Sequence, residues 1–169
     1  MSDIRAAIIN VRRALAEKVD AGPAPDRPAT AVMEDGLRCR AEGGDGWAVV
    51  TDMPAPVGGG ASGPTPGWLI RAALASCAAT TIAMRAAELE IELTRLEVTA
   101  ESETDMRGLL GVGDDVDPGP AGARLRVELT AEAADEERLA ELVRWADGHS
   151  PVGDCLRRAV PVELVISTG

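Results

Sequence analysis

The run "PGWLIRAALASCAATTIAMRAA", residues 66–87, constrains the fold more than any other stretch of the chain. It is apolar around nearly its whole helical circumference, so the helix it predicts should be buried all round. Ala72, Ala73, Ala75, Ser76, Ala78 and Ala79 are small, which allows neighbouring backbone to approach closely. Pro66 suits the first helical turn and Thr65 its cap. Arg71 and Arg85 leave thirteen uncharged residues between them, too few to span the hydrocarbon layer of a membrane. A helix of this kind reads as the centre of a domain, with a sheet wrapped around it.

The interior available to such a helix is built from unusual material. Hydrophobic residues make up 46% of the 169, yet there is no Phe or Tyr and only three Trp. Ala, Val, Leu and Ile must fill the core, and little apolar volume per residue favours an oligomer that shares its core between chains. The net charge of −11 opposes binding to a phosphate backbone, which needs clustered Lys and Arg. No nucleic-acid or membrane partner is expected. The first residues, "MSDIRAAIINVRRALAEKVDAG", lack the pattern of a signal peptide, and the expectation is a soluble cytoplasmic protein. In that compartment Cys39, Cys77 and Cys155 do not form a structural disulfide framework. With no CxxC and a single His, no metal site and no cofactor are expected.

Periodicity supplies the remaining elements. Ile4, Ile8, Val11, Leu15 and Val19 recur three and four apart, an amphipathic helix over 3–19 with Ser2 or Asp3 as its cap. "DAGPAPDRPA" then reads as a linker, which makes residues 1–22 an appended arm and 23–169 the domain. "ATAVME", "DG" and "LRCRAE" predict a hairpin turning at Asp35-Gly36, and "WAVVTD" a third strand. Cys39 alternates with Arg38 and Arg40 and so faces away from them. Strands are predicted over 93–103 and 123–133, separated by an acidic, Gly-rich insertion at 104–122 that is either a mobile lid or an unordered loop. "DEERLAELVRWADG" predicts a helix with Leu139, Leu142, Val143 and Ala146 inward, stopped by Gly148. "HSPVGDCLRRA" adds a turn and short helix, and "VPVELVIS" a closing strand. The order gives an α+β fold with a largely antiparallel sheet around a long central helix.

"TDMPAPVGGGASGPTPGWLIRAALASCAATTIAMRAAELEIELTRLEVTAESE", with the later "HSPVGDCLRRAVPVELVI", resembles the OsmC/Ohr family, the osmotically inducible protein C and organic hydroperoxide resistance proteins. The resemblance covers roughly 30–167. It implies an intertwined homodimer whose active sites draw on both subunits, and a peroxidatic cysteine that reduces a small organic hydroperoxide and is resolved by a second cysteine. Cys77 falls at the peroxidatic position. Gly67 stands where the hydroperoxide-resistance members carry a Glu, and Glu34 where their activating Arg lies, just before the hairpin "DG". Ser150 occupies the slot of the second cysteine, and Cys155 lies five residues beyond it.

The chemistry needs a thiolate, since a free thiol titrates near 8.5, and so a nearby cation or donor set. Arg38 or Arg40 from the hairpin, Arg71, or an Arg of a second chain are candidates. His149 can serve as a proton shuttle or as a helix cap. Cys155 is a candidate resolving thiol or a packing residue, with an external thiol reductant as the other route to resolution. Two further readings stay open: a non-catalytic dimer whose cleft holds a small apolar ligand, Cys77 then packing as a small hydrophobe, and a redox sensor.

Overall fold

The structure is a computed structural model and describes residues 2–18 and 22–168. It divides into two compact units, Met1–Val11 with Ala73–Gly169, and Arg12–Ala72. The helices and strands are α+β, but the strands form two separate antiparallel sheets, one of β1, β2 and β3 and one of β4 and β5. No single sheet surrounds the long helix within the described chain.

In the Arg12–Ala72 unit, β1 (Ala29–Asp35) and β2 (Arg38–Gly43) form the expected hairpin, with β3 (Ala48–Thr51) on the other side of β2. The turn lies one residue later than the Asp35-Gly36 expectation. Asp35 pairs with Arg38 inside the ladder, and Gly36, at φ 54°, takes the first loop position, where a two-residue hairpin favours a residue without a Cβ. Cys39, the second residue of β2, lies opposite Met33 and Thr51.

The long helix, α2 (Pro66–Glu88), starts as expected, with the Trp68 N–H donating to Thr65 Oγ1 at 3.2 Å. By length and composition it is a helix that could cross a membrane. Its burial is one-sided, however. Leu74, Ala78, Ile82, Ala86 and Ala87 are buried, whereas Trp68, Ile70 and Met84 are exposed. Within the single chain, burial runs along one stripe of the helix.

That stripe anchors the core of the Ala73–Gly169 part. Ile82 and Ala86 cluster with Ile91 and with Leu139, Leu142 and Ala146 of α4 (Glu136–Gly148). Alternate residues of β4 (Leu93–Thr104) and β5 (Pro120–Ala131), among them Leu96, Val98, Val127 and Leu129, close over it. Removing a Leu or Ile side chain from water contributes about 1.5–3 kcal/mol, so a core without large aromatics depends on each of these aliphatic groups. α4 is capped by Asp135, which accepts the Arg138 N–H at 2.9 Å, and Glu136 and Glu137 favour its positive end. Gly148 is the last helical residue rather than the stop, and the cap is His149.

Three further expectations are corrected. The 104–122 insertion is not an unordered loop. β4 and β5 extend into it, and α3 (Met106–Leu110) fills it, capped by Asp105 and ended by Gly111 at φ 64°. The first helix, α1 (Ser2–Glu17), ends before Val19, which lies outside the described residues, as do residues 20 and 21 of the linker. Ile4, Val11 and Leu15 of α1 are exposed, and Arg5 ties the helix to Glu90 and to the Glu88 carbonyl. Finally, "VPVELVIS" forms no strand. Val162 and Leu164 in it are 92% and 80% exposed.

Candidate functional site

Cys77 lies midway along α2, half-buried. Its position follows from the helix: Leu74 and Ala78, on either side of it in sequence, belong to the buried stripe, so the Cys77 side chain leaves the helix at the margin of that stripe.

What faces the sulfur is Ser150. Its hydroxyl donates to Cys77 Sγ at 3.3 Å, and it is only 1% exposed. Among the described residues it is the one side chain hydrogen-bonded to that sulfur. Local sequence explains the placement. Ser150 precedes Pro151 and caps α5 (Pro151–Arg158), its Oγ accepting the Gly153 N–H at 3.2 Å. The cap interaction uses an oxygen lone pair and leaves the hydroxyl proton free to point at sulfur. A donor held in this way gains strength when the acceptor carries charge.

The other sequence candidates are placed differently. Cys155 is exposed on α5. Five residues from the cap correspond to about 140° around the helix and about 7.5 Å along it, so it does not share the direction in which Ser150 meets Cys77. Its surroundings on α5 are ionic: Arg158 clasps Asp154 at 2.7–2.8 Å and holds that carboxyl below its ordinary range. His149 is a cap. Its Nδ1 stands 2.7 Å from the Trp145 carbonyl and its ring stacks on the Trp145 indole at 3.9 Å. A carbonyl only accepts, so Nδ1 carries the proton.

Arg38 and Arg40 belong to the Arg12–Ala72 unit, and both meet carboxylates there. Arg40 pairs with Glu42, which raises the guanidinium pKa through that hydrogen bond. Arg38 donates to Glu34 at 2.8 Å and to Ser62 Oγ at 2.9 Å. Glu34, at the place of the expected activating Arg, thus neutralises the Arg four residues on. Gly67 sits in the first turn of α2.

Sequence reasoning missed a second polar centre in this unit. Asp52, 3% exposed, accepts from the N–H groups of Met53, Gly60 and Ser62 and from the Ser62 hydroxyl at 2.7–3.1 Å. The Ser62 backbone N–H, then its hydroxyl, then the Met53 and Gly60 N–H groups hold its pKa down at about 2. This carboxylate gathers the loop that leads into α2. Its only sequence signal is an acid opening a Gly- and Ser-rich stretch.

A model of the OsmC-like protein family matches residues 58–165, a span that contains Cys77, Ser150 and Cys155. The chain belongs to the OsmC-like protein family. No curated protein matches its sequence. Among solved structures, the OsmC-like protein is similar to an OsmC-like protein of Mycoplasma pneumoniae, with TM-score 0.68 and 18% identity over 80% of this chain and 89% of that one. It is also similar to an organic hydroperoxide resistance protein of Legionella pneumophila (TM-score 0.56, 22% identity, 80% and 92% covered). A third likeness is to the organic hydroperoxide resistance protein of Bacillus subtilis (TM-score 0.52, 23% identity, 79% and 91% covered). At these identities the likeness is one of fold.

Proposed function

We propose that this OsmC-like protein reduces organic hydroperoxides with Cys77 as its single working thiol, resolved by an external thiol rather than by a second cysteine of the chain. The observation that carries the reading is the buried Ser150 hydroxyl donating to the Cys77 sulfur at 3.3 Å. Ser150 stands at the slot of the resolving cysteine, and a serine keeps a donor there while removing the possibility of a disulfide. Family membership and the neighbours named as organic hydroperoxide resistance proteins support the substrate class.

The steps balance with two equivalents of external thiol. The Cys77 thiolate attacks the outer peroxide oxygen, a sulfur–oxygen bond forms as the O–O bond breaks, and the alkoxide leaves as the alcohol after taking a proton. Cys77 is then a sulfenic acid. One external thiol displaces its hydroxyl as water and forms a mixed disulfide. A second attacks that disulfide, which frees Cys77 and releases the oxidised reductant. Ser150 holds its donor against the sulfur throughout.

The working unit in this reading is a homodimer. Two-stranded sheets are marginal alone, and the exposed apolar segment from Val160 to Ile166 is the kind of surface that marks a protein interface. Consumption of dithiothreitol on addition of cumene hydroperoxide tests the chemistry. Wild type and Cys155→Ser should turn over equally, and Cys77→Ser should stay at background. Background rates in all three would remove the reading.

A further inference from the structure

We propose that the groove bounded by α2, β5, α4 and α5 binds a single-chain aliphatic carboxylate, with the carboxylate held by Arg144. The groove has a volume of about 490 Å³, within the range of small-molecule sites. Its floor is the α2 stripe of Leu74, Ala78 and Ile82. Residues spaced four apart lie on one face and run for about 12 Å along the helix. Leu125 and Val127 of β5 form the facing wall, two residues apart and so on the same side of the strand. Ala123 and Gly153 also line it, and the small side chains of Ala78 and Ala123 leave the space open. An apolar floor that runs about 12 Å along the helix suits an unbranched chain better than a compact molecule.

The rim supplies the sign of the head group. Its charged residues are Arg144, Asp147 and Arg157. Asp147 is committed, accepting from Arg157 with its side chain at 2.5 Å and with its carbonyl at 3.2 Å. That leaves Arg144 with no acidic partner among the described residues, in a protein with 28 acidic and 17 basic side chains. A guanidinium without a carboxylate, at the edge of an apolar slot, is complementary to an amphiphile with an anionic, planar head. The site makes no use of the Cys77 sulfur, so it stands or falls separately from the peroxidase reading.

Calorimetric titration of the full chain with decanoate, 1-decanol and butyrate tests this. Decanoate should bind saturably at one site per chain, and butyrate, which cannot fill the slot, should give no isotherm. Arg144→Gln should weaken decanoate about tenfold or more, as loss of a charge-assisted contact does, while changing decanol less than twofold. Ala123→Trp should abolish both by filling the groove. Arg144 and Ala123 are both exposed, so neither change threatens folding. Cys77→Ser should bind decanoate like wild type even where its thiol turnover is lost. The proposal is overturned if decanoate gives no isotherm, including the case in which a second copy of the chain covers the groove. It is equally overturned if decanoate binding is indifferent to both Arg144→Gln and Ala123→Trp, or depends on the Cys77 thiol.

Discussion

The Ser150 hydroxyl and the Cys77 sulfur, 73 residues apart in sequence, meet at 3.3 Å in the interior of the helical face of this OsmC-like protein. A serine fixed so close predicts what a cysteine would do in its place. Ser150→Cys should oxidise readily with Cys77, because a small rotation brings two sulfurs at this separation to the bond length of about 2.05 Å. The wild-type chain has three free cysteines. Under non-reducing conditions the variant should lose two titratable thiols of its four, and Cys155→Ser should not prevent that loss. Retention of all four would place the two side chains further apart than the structure does. In the same experiment Ser150→Ala should slow alkylation of Cys77 several-fold at neutral pH, since it removes the hydrogen-bond donor that meets the sulfur.

Asp52 gives a pH prediction. Its folded pKa of about 2 lies below the ordinary 3.8, so the folded state binds its proton more weakly than the unfolded state. The stabilisation is then complete above the unfolded value and is lost as pH falls through the window from about 4 to about 2. Thermal unfolding followed over that window should show a steep fall in midpoint for wild type and a shallower one for Asp52→Asn, which starts lower at neutral pH. Parallel curves would mean that Asp52 does not hold the Met53–Ser62 loop.

The same loop contains a steric test. A Cβ on Gly59 would overlap the backbone carbonyl of Met53, whereas a Cβ on Gly44 would meet nothing within 4 Å. A backbone obstacle cannot swing aside as a side chain can. Gly59→Ala should therefore destabilise by about 2 kcal/mol or more. Gly44→Ala, with no positive φ to oppose it, should be neutral or slightly stabilising, by up to about 1 kcal/mol, through the unfolded state. Urea midpoints at unchanged slope measure both.

The parts legible in the sequence were those governed by local rules. Thr65-Pro66 announced the start of α2, Asp35-Gly36 the hairpin, and Leu139, Leu142 and Ala146 the inner face of α4, because caps, turns and periodicity act within a few residues. The errors have a common origin in tertiary context. An apolar run cannot reveal how many of its sides find a neighbour, so α2 was expected to be buried all round, whereas within one chain its buried residues are Leu74, Ala78, Ile82, Ala86 and Ala87. Arg85 counted as a charge interrupting that run, but its guanidinium lies over the Trp145 ring at 4.3 Å and pairs with Glu88. In the candidate site, Cys77 was identifiable from its helix and family position. Its partner was harder: His149 and Cys155 carried the conventional chemistry, while Ser150 was read only as standing in the slot of the second cysteine, and its role as a donor to the Cys77 sulfur becomes visible once α5 is placed against α2.

The C-terminal segment offers the sharpest test of association. "VPVELVIS" has the composition of a strand, with β-branched residues dominating, but Val162, Leu164, Val165 and Ile166 are all strongly exposed and the segment belongs to neither sheet. Exposed strand-forming sequence of this kind is a pairing site for a sheet edge, and the homodimer reading supplies one from the second copy. Val162→Asp with Leu164→Asp should shift the protein from dimer to monomer in light scattering after size exclusion. Far-UV circular dichroism should change little, because neither residue belongs to the core of its own chain. A single-chain mass for wild type, or a variant that stays dimeric, would detach this segment from assembly and with it the homodimer on which the proposed function relies.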